Sequence, residues 1–184
     1  MKFLTEFVDR EEELELLIKY IENKVDVIVY GLRGIGKTSL LERLRDYLRA
    51  LGRGVNFING YEIASHKDVA VILNVDADDP RILLSELFSR DTTVIIIDEF
   101  IAFLRVFVGK SVFSSLERVA MFLRTLIEKR RKRGGESVIL CSSAVGAVRR
   151  LTGKYFAPLF RQLKMFNLGP MGLEDAKKLG RLYA

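Results

Sequence analysis

An α/β fold, a parallel β-sheet of about five strands sandwiched by helices, is what the sequence predicts. Three observations lead there. Short apolar, β-branched runs alternate with segments whose apolar residues recur at helical spacing. The first such run, Val25 to Tyr30, passes through a glycine-rich loop directly into a helix-patterned segment. A later run, Thr93 to Ile97, is unbroken in Thr, Val and Ile, as a strand covered on both faces requires.

The elements follow in order. Asp9 is read as a helix N-cap with Glu12 three residues on, the spacing of a capping box. The helix that follows sets Leu14, Leu17, Ile18 and Ile21 on one face. Val25 to Tyr30 is a buried strand, and Ser39 to Leu51 is a helix with apolar residues at 40, 41, 44, 47, 48 and 51, ended by Gly52 and Gly54. Val55 to Asn59 is the second strand. Residues 60–78 stay ambiguous, and Asp68 to Val75 reads equally as a short strand or a helical turn. Pro80 to Phe88 is helical, with Pro80 in its first turn. Thr93 to Ile97 is the third strand. Ser111 to Arg133 is a long helix with apolar positions 112, 113, 116, 119, 120, 123, 126 and 127, stopped by Gly134-Gly135. Ser137 to Cys141 is a fourth strand, Leu163 to Leu168 a fifth, and Gly172 to Tyr183 a last helix.

Composition bounds the rest. At 184 residues and 49% hydrophobic, the chain suits one domain, 1–184, with a sizeable core. The amino terminus meets Glu6 too soon for a signal peptide. The apolar stretch Val94 to Val108 is broken by Asp98, Glu99 and Arg105, so no membrane partner is expected. The lone cysteine, Cys141, forms no internal disulfide, fits a reducing cytoplasm, and sits in an apolar run as a small buried hydrophobe. One glutamine and few asparagines lean toward a thermophile. The net charge of +6 is uneven, with runs at Arg130-Arg131-Lys132-Arg133 and at Arg149-Arg150 with Lys154. Two readings stay open for them: cations favoured at helix C-termini by the macrodipole, or contact with DNA.

Residues 31–38 carry the chemistry. Gly31, Leu32, Arg33, Gly34, Ile35, Gly36, Lys37 and Thr38 spell G-x-x-x-x-G-K-T, the Walker A phosphate-binding loop (P-loop), between a strand and a helix. Glycines let the backbone turn its N–H groups inward, and the following helix, opening at Ser39, adds its positive end. The pattern predicts a nucleoside triphosphate site, with Lys37 on the β- and γ-phosphates and Thr38 on Mg2+. Val94 to Glu99 is a Walker B-like second element: buried apolar residues that end in two acids, costly unless the acids act. Asp98 is the expected partner of magnesium, and Glu99 the base for the attacking water. Asn23-Lys24-Val25-Asp26 spells a guanine-reading pattern, but it precedes the loop and is taken as chance.

With these stretches in view, the chain resembles the archaeal ATPase family of P-loop proteins, relatives of AAA+ and STAND ATPases. Phe7 to Leu14 is similar to that family's opening segment, which implies that Val8 packs near the adenine. Tyr30 to Leu41 and Val94 to Phe100 match its loop and acidic strand. Val138 to Ser143 is similar to its γ-phosphate-sensing strand, which implies Ser143 as sensor, with Ser142 beside it. Pro158-Leu159-Phe160-Arg161 resembles its Pro-Leu-Tyr-Gly-Arg pattern without the glycine, which implies Arg161 as a charge-stabilising arginine. Family members continue into a helical lid, so residues 172–184 are its expected start, in either a shortened chain or a compact form. Two functions follow: an ATPase using Lys37, Thr38, Asp98 and Glu99, or a nucleotide-operated switch or DNA-associated module with little turnover, either of them alone or as a homo-oligomer.

Overall fold

The computed structural model describes residues 10–110 and 113–170. Twelve elements run α1 (Glu11–Glu22), β1 (Val27–Tyr30), α2 (Lys37–Ala50), β2 (Gly54–Asn59), α3 (His66–Leu73), α4 (Pro80–Ser89), β3 (Thr93–Asp98), α5 (Phe100–Arg105), α6 (Leu116–Lys132), β4 (Val138–Ser142), α7 (Val145–Thr152) and β5 (Lys164–Asn167). The strands form one parallel sheet in the order β2-β3-β4-β1-β5.

Strand residues alternate between two apolar cores because successive side chains leave opposite faces. Val27, Val29, Val94, Ile96, Ile139 and Cys141 point to α1 and α2, meeting Leu14, Leu17 and Ile21 and then Leu40, Leu41, Leu44 and Leu48. Ile28, Ile95, Ile97, Val138 and Leu140 face α3 to α7. With both faces covered, the inner strands read as unbroken apolar runs rather than alternating ones.

Several expectations change. The N-cap of α1 is Arg10, in a left-handed conformation (φ 85°) and without a side-chain cap, while Asp9 lies outside the described residues. Residues 68–73 belong to a helix, α3, because Ser65 and Asp68 close a capping box, and Asn74 ends it in a left-handed conformation; the Asp68 carboxylate accepts the Ser65 N–H at 2.8 Å. The long helix starts at Leu116 rather than Ser111, since Ser115 caps it by accepting the Arg118 N–H at 3.3 Å. Phe113 is buried but sits ahead of the helix, bridged to Lys110. Helices α5 and α7 were not anticipated: six and eight residues give too few turns for a periodic signal. The expected helix 172–183 lies outside the described residues.

The basic run at the end of α6 does structural work. Arg130 is buried and donates to the carbonyls of Phe88, Arg90, Thr93 and Glu136. Arg131 donates to the Asp26 carboxylate at 2.7 Å and to the Gln162 carbonyl, and Arg133 to Asp91 at 2.6 Å. These three cations therefore hold the amino ends of the strands, a structural duty for the run. Asp26, the last residue of the guanine-like tetrapeptide, is buried and also accepts the Val138 N–H at 2.9 Å, a structural duty.

Arg130→Met keeps the apolar volume but strips four carbonyls of their donor. Loss of roughly 3 kcal/mol or more is expected, read as a lower urea midpoint at unchanged slope. Arg133→Ala, at the exposed Asp91 pair, shifts the midpoint far less.

Candidate functional site

β1 ends at Tyr30 and hands the chain to residues 31–36, which turn it into α2. Gly34 and Gly36 hold φ of +82° and +88°, backbone shapes that L side chains rarely adopt. Gly36 caps α2, so the free N–H groups of its first turn face the cleft above the sheet. Lys37 opens that helix and is buried; its ammonium donates to the carbonyls of Gly31 at 3.1 Å and Leu32 at 2.7 Å. The Leu32 side chain is exposed, so that residue serves the loop through its backbone.

Asp98 ends β3, and β4 lies between β3 and the loop's own strand, β1. The gap is closed from α2: the Thr38 hydroxyl donates to Asp98 Oδ2 at 2.6 Å. The other carboxylate oxygen of Asp98 accepts the Glu99 N–H at 3.0 Å. Glu99 is left-handed (φ 48°, ψ 49°), a conformation uncommon outside glycine and asparagine that turns its side chain across β4. There its carboxylate accepts the Ser142 hydroxyl at 3.2 Å and the Ser143 N–H at 3.1 Å. Ser142 in turn accepts the Ala144 N–H at 3.0 Å.

Together these groups border a cleft of about 410 Å³ lined by Arg33, Gly34, Gly36, Lys37, Thr38, Ser39, Asn59, Tyr61, Asp98 and Glu99. Ser143 stands behind Glu99 rather than on the cleft wall. Val8 lies outside the described residues. Arg161 is not brought to the cleft: it precedes β5, beside Gln162, whose carbonyl meets Arg131 at the amino ends of the strands. A strand of four residues, roughly 13 Å at about 3.3 Å each, separates that level from the cleft, so one chain does not aim this arginine at its own site. Among the described residues no group of three or more His, Cys, Asp or Glu side chains forms a metal cage. The oxygens of Thr38 and Asp98 instead suit a hard cation that keeps most of its shell from water and phosphate, as Mg2+ does.

Residues that sequence reasoning missed complete the site. Asn59 ends β2 opposite Asp98 in the ladder, and its side chain fixes the turn by accepting the Tyr61 N–H at 3.0 Å. Its position as the polar last residue of an apolar strand is the signal that was available. Gly60 packs so tightly that a Cβ would overlap the Glu99 carbonyl and lie 2.6 Å from the Phe103 nitrogen. Arg10, 4% exposed, donates to the carbonyls of Ile35 (3.1 Å) and Gly169 (2.7 Å), tying the phosphate loop to the segment after β5. Cys141, under the site, is inert: burial pushes its thiol well up, reinforced by the negative charge of Asp98.

The family model described as ATPase family associated with various cellular activities (AAA) matches residues 27–153. The chain belongs to the AAA family of ATPases. Among solved structures, a DNA replication initiation factor is similar over 98% of this chain and 53% of its own, at 14% identity and a TM-score of 0.65. AMPPCP-bound DnaA from Aquifex aeolicus aligns with 96% of this chain and 52% of its own, at 15% identity and a TM-score of 0.61. The Thermotoga maritima RuvB Holliday junction branch migration motor aligns with 96% of this chain and 50% of its own, at 18% identity and a TM-score of 0.52. The AAA chain thus spans about half the length of these structures, and at such identities the likeness shows the fold. A comparison with curated proteins finds no match. No helix among the described residues is long and apolar enough to cross a membrane.

Gly60→Ala forces the β2–α3 turn away from Glu99 and Phe103. Overpacking of this kind costs about 1 to 3 kcal/mol, so the urea midpoint falls. Gly146→Ala, where a Cβ meets nothing within 4 Å, leaves it within error.

Proposed function

We propose that this AAA domain binds ATP with Mg2+ and hydrolyses it to ADP and phosphate. The observation that carries the reading is the 2.6 Å contact between Thr38 and Asp98, which joins the phosphate loop to the acidic strand at a single cleft. Lys37 exchanges its two carbonyl partners for β- and γ-phosphate oxygens, a charge-assisted contact. Thr38 and Asp98 would hold Mg2+, which would supply charge neutralisation on the same phosphates. Glu99 takes a proton from water as the water oxygen bonds to the γ-phosphorus and the bond to the β–γ bridging oxygen breaks. Ser142 and Ser143 aim the Glu99 carboxylate, so the proposed γ-phosphate sensing at Ser143 runs through Glu99. The narrower kinship with archaeal ATPases rests on the five stretches of sequence given above, and a cytoplasmic setting on the lone, reduced Cys141.

A switch with little turnover is the second reading, favoured by two observations. Both oxygens of Glu99 accept hydrogen bonds from Ser142 and Ser143, which hold the carboxylate against β4 rather than free to meet a water. Arg161 is at the far end of the sheet from its own cleft. Turnover by the isolated chain is therefore expected below about 1 per second, against roughly 10 per second for a typical enzyme. A rate that rises with protein concentration would signal a homo-oligomer in which a second copy supplies the arginine.

Two substitutions separate binding from chemistry. Lys37→Ala weakens ATP binding by on the order of tenfold or more, about 1.5 to 3 kcal/mol for a hydrogen bond to a charged group; calorimetry giving an unchanged dissociation constant removes residues 31–38 from the site. Glu99→Gln retains Mg2+–ATP binding while phosphate release drops by roughly a hundredfold or more. Equal turnover in Glu99→Gln and the parent reassigns Glu99 to structure.

A further inference from the structure

Residues 137–170 contain no Asp or Glu yet carry Arg149, Arg150, Lys154, Arg161 and Lys164, nearly all of the chain's net charge of +6. Within this span the loop after α7 is firmly anchored. Ala157, Pro158 and Leu159 are buried, the Ala157 N–H meets the Lys154 carbonyl at 2.8 Å, and the Leu159 N–H meets the Leu151 carbonyl at 2.8 Å. On this fixed base Tyr155 and Phe156 stand 76% and 92% exposed, their rings edge to face at 5.2 Å. Phe160 extends the set, 5.9 Å from Tyr155, and the Arg161 guanidinium lies 5.1 Å over its ring. In the same span Arg149, Arg150 and Lys154 are exposed, Arg150 being paired with Glu117 at 3.2 Å.

We propose that this surface binds single-stranded DNA. Exposed rings on an anchored loop offer stacking faces to unpaired bases, and the cations other than Arg150, which Glu117 already holds, are available to phosphates. A duplex hides its base faces and has no use for the rings. A protein partner can use the rings but leaves the cations uncompensated unless it brings acids of its own. Arg161 thereby gains a role at this end of the sheet, as a phosphate contact stacked on Phe160. The inference stands apart from the proposed hydrolysis, since the loop and the cleft occupy opposite ends of the strands.

The test is fluorescence anisotropy of a labelled 20-nucleotide thymidine strand with the full chain, from 50 to 200 mM salt. Tyr155→Ala/Phe156→Ala is expected to weaken binding by roughly tenfold or more while leaving thermal unfolding unchanged. Arg149→Ala/Lys154→Ala should reduce the slope of log affinity against log salt by about 0.7 per cation. A ribo-oligonucleotide of matching length should bind no tighter than the DNA, and a 20-base-pair duplex should be indifferent to loss of the rings. Three results overturn the proposal: affinity for the strand that is unchanged without the rings, equal losses for strand and duplex, or ring removal that alters sedimentation of the protein without altering DNA binding, which makes the patch an interface between protein copies.

Discussion

The hydrogen bond from the Thr38 hydroxyl to Asp98 is the contact on which the site depends. The phosphate loop grows from β1 and the acids from β3, and β4 separates the two strands. Two strand spacings, roughly 9 to 10 Å, therefore lie between the two halves of the chemistry. Only a side chain leaving the first turn of α2 and reaching down over β4 closes that distance. The same strand supplies Ser142 and the backbone of Ser143 as props for Glu99. The intervening strand is thus a support for the Glu99 carboxylate as much as a spacer.

Much of this was legible in the sequence, because buried parallel strands and a glycine loop leave strong local marks. All five strands lie within two residues of the expected bounds, and Lys37, Thr38, Asp98 and Glu99 meet at one cleft. What escaped was written in three dimensions. The partners of Glu99 lie more than forty residues away in the chain. Asn59 matters because it faces Asp98 across a ladder that no local pattern encodes. The α3 region resisted assignment since its eight residues are mostly apolar, with exposed Val71 and Ile72 blurring the amphipathic signal.

Arginine shows how little residue type alone decides. Arg130 is a buried scaffold for four carbonyls, Arg10 a strut between two loops, and Arg161 a cap on an aromatic ring. The planar fork of donors suits all three tasks. In the sequence, the run at 130–133 was the more conspicuous candidate for an electrostatic face, yet Arg130 is buried and Arg131 and Arg133 are tied to Asp26 and Asp91. Among the sparser cations at 149–161, Arg150 is paired with Glu117, while Arg161 lies over the Phe160 ring.

Asp26 gives the molecule a difference in stiffness between its two ends. One buried carboxylate holds the start of β4 through Val138 and the end of α6 through Arg131, while its backbone carbonyl accepts the first N–H of β5 at 2.8 Å. Three elements are thereby riveted at the amino ends of the strands. At the carboxyl ends the ties are exchangeable side-chain contacts: a lysine on two carbonyls, a hydroxyl on an acid, an acid on two serines. Amide protons near Asp26 exchange by the rarest, most global openings, and those around the cleft by local ones. The sheet behaves as a cantilever, clamped at one end and compliant where its ligands arrive.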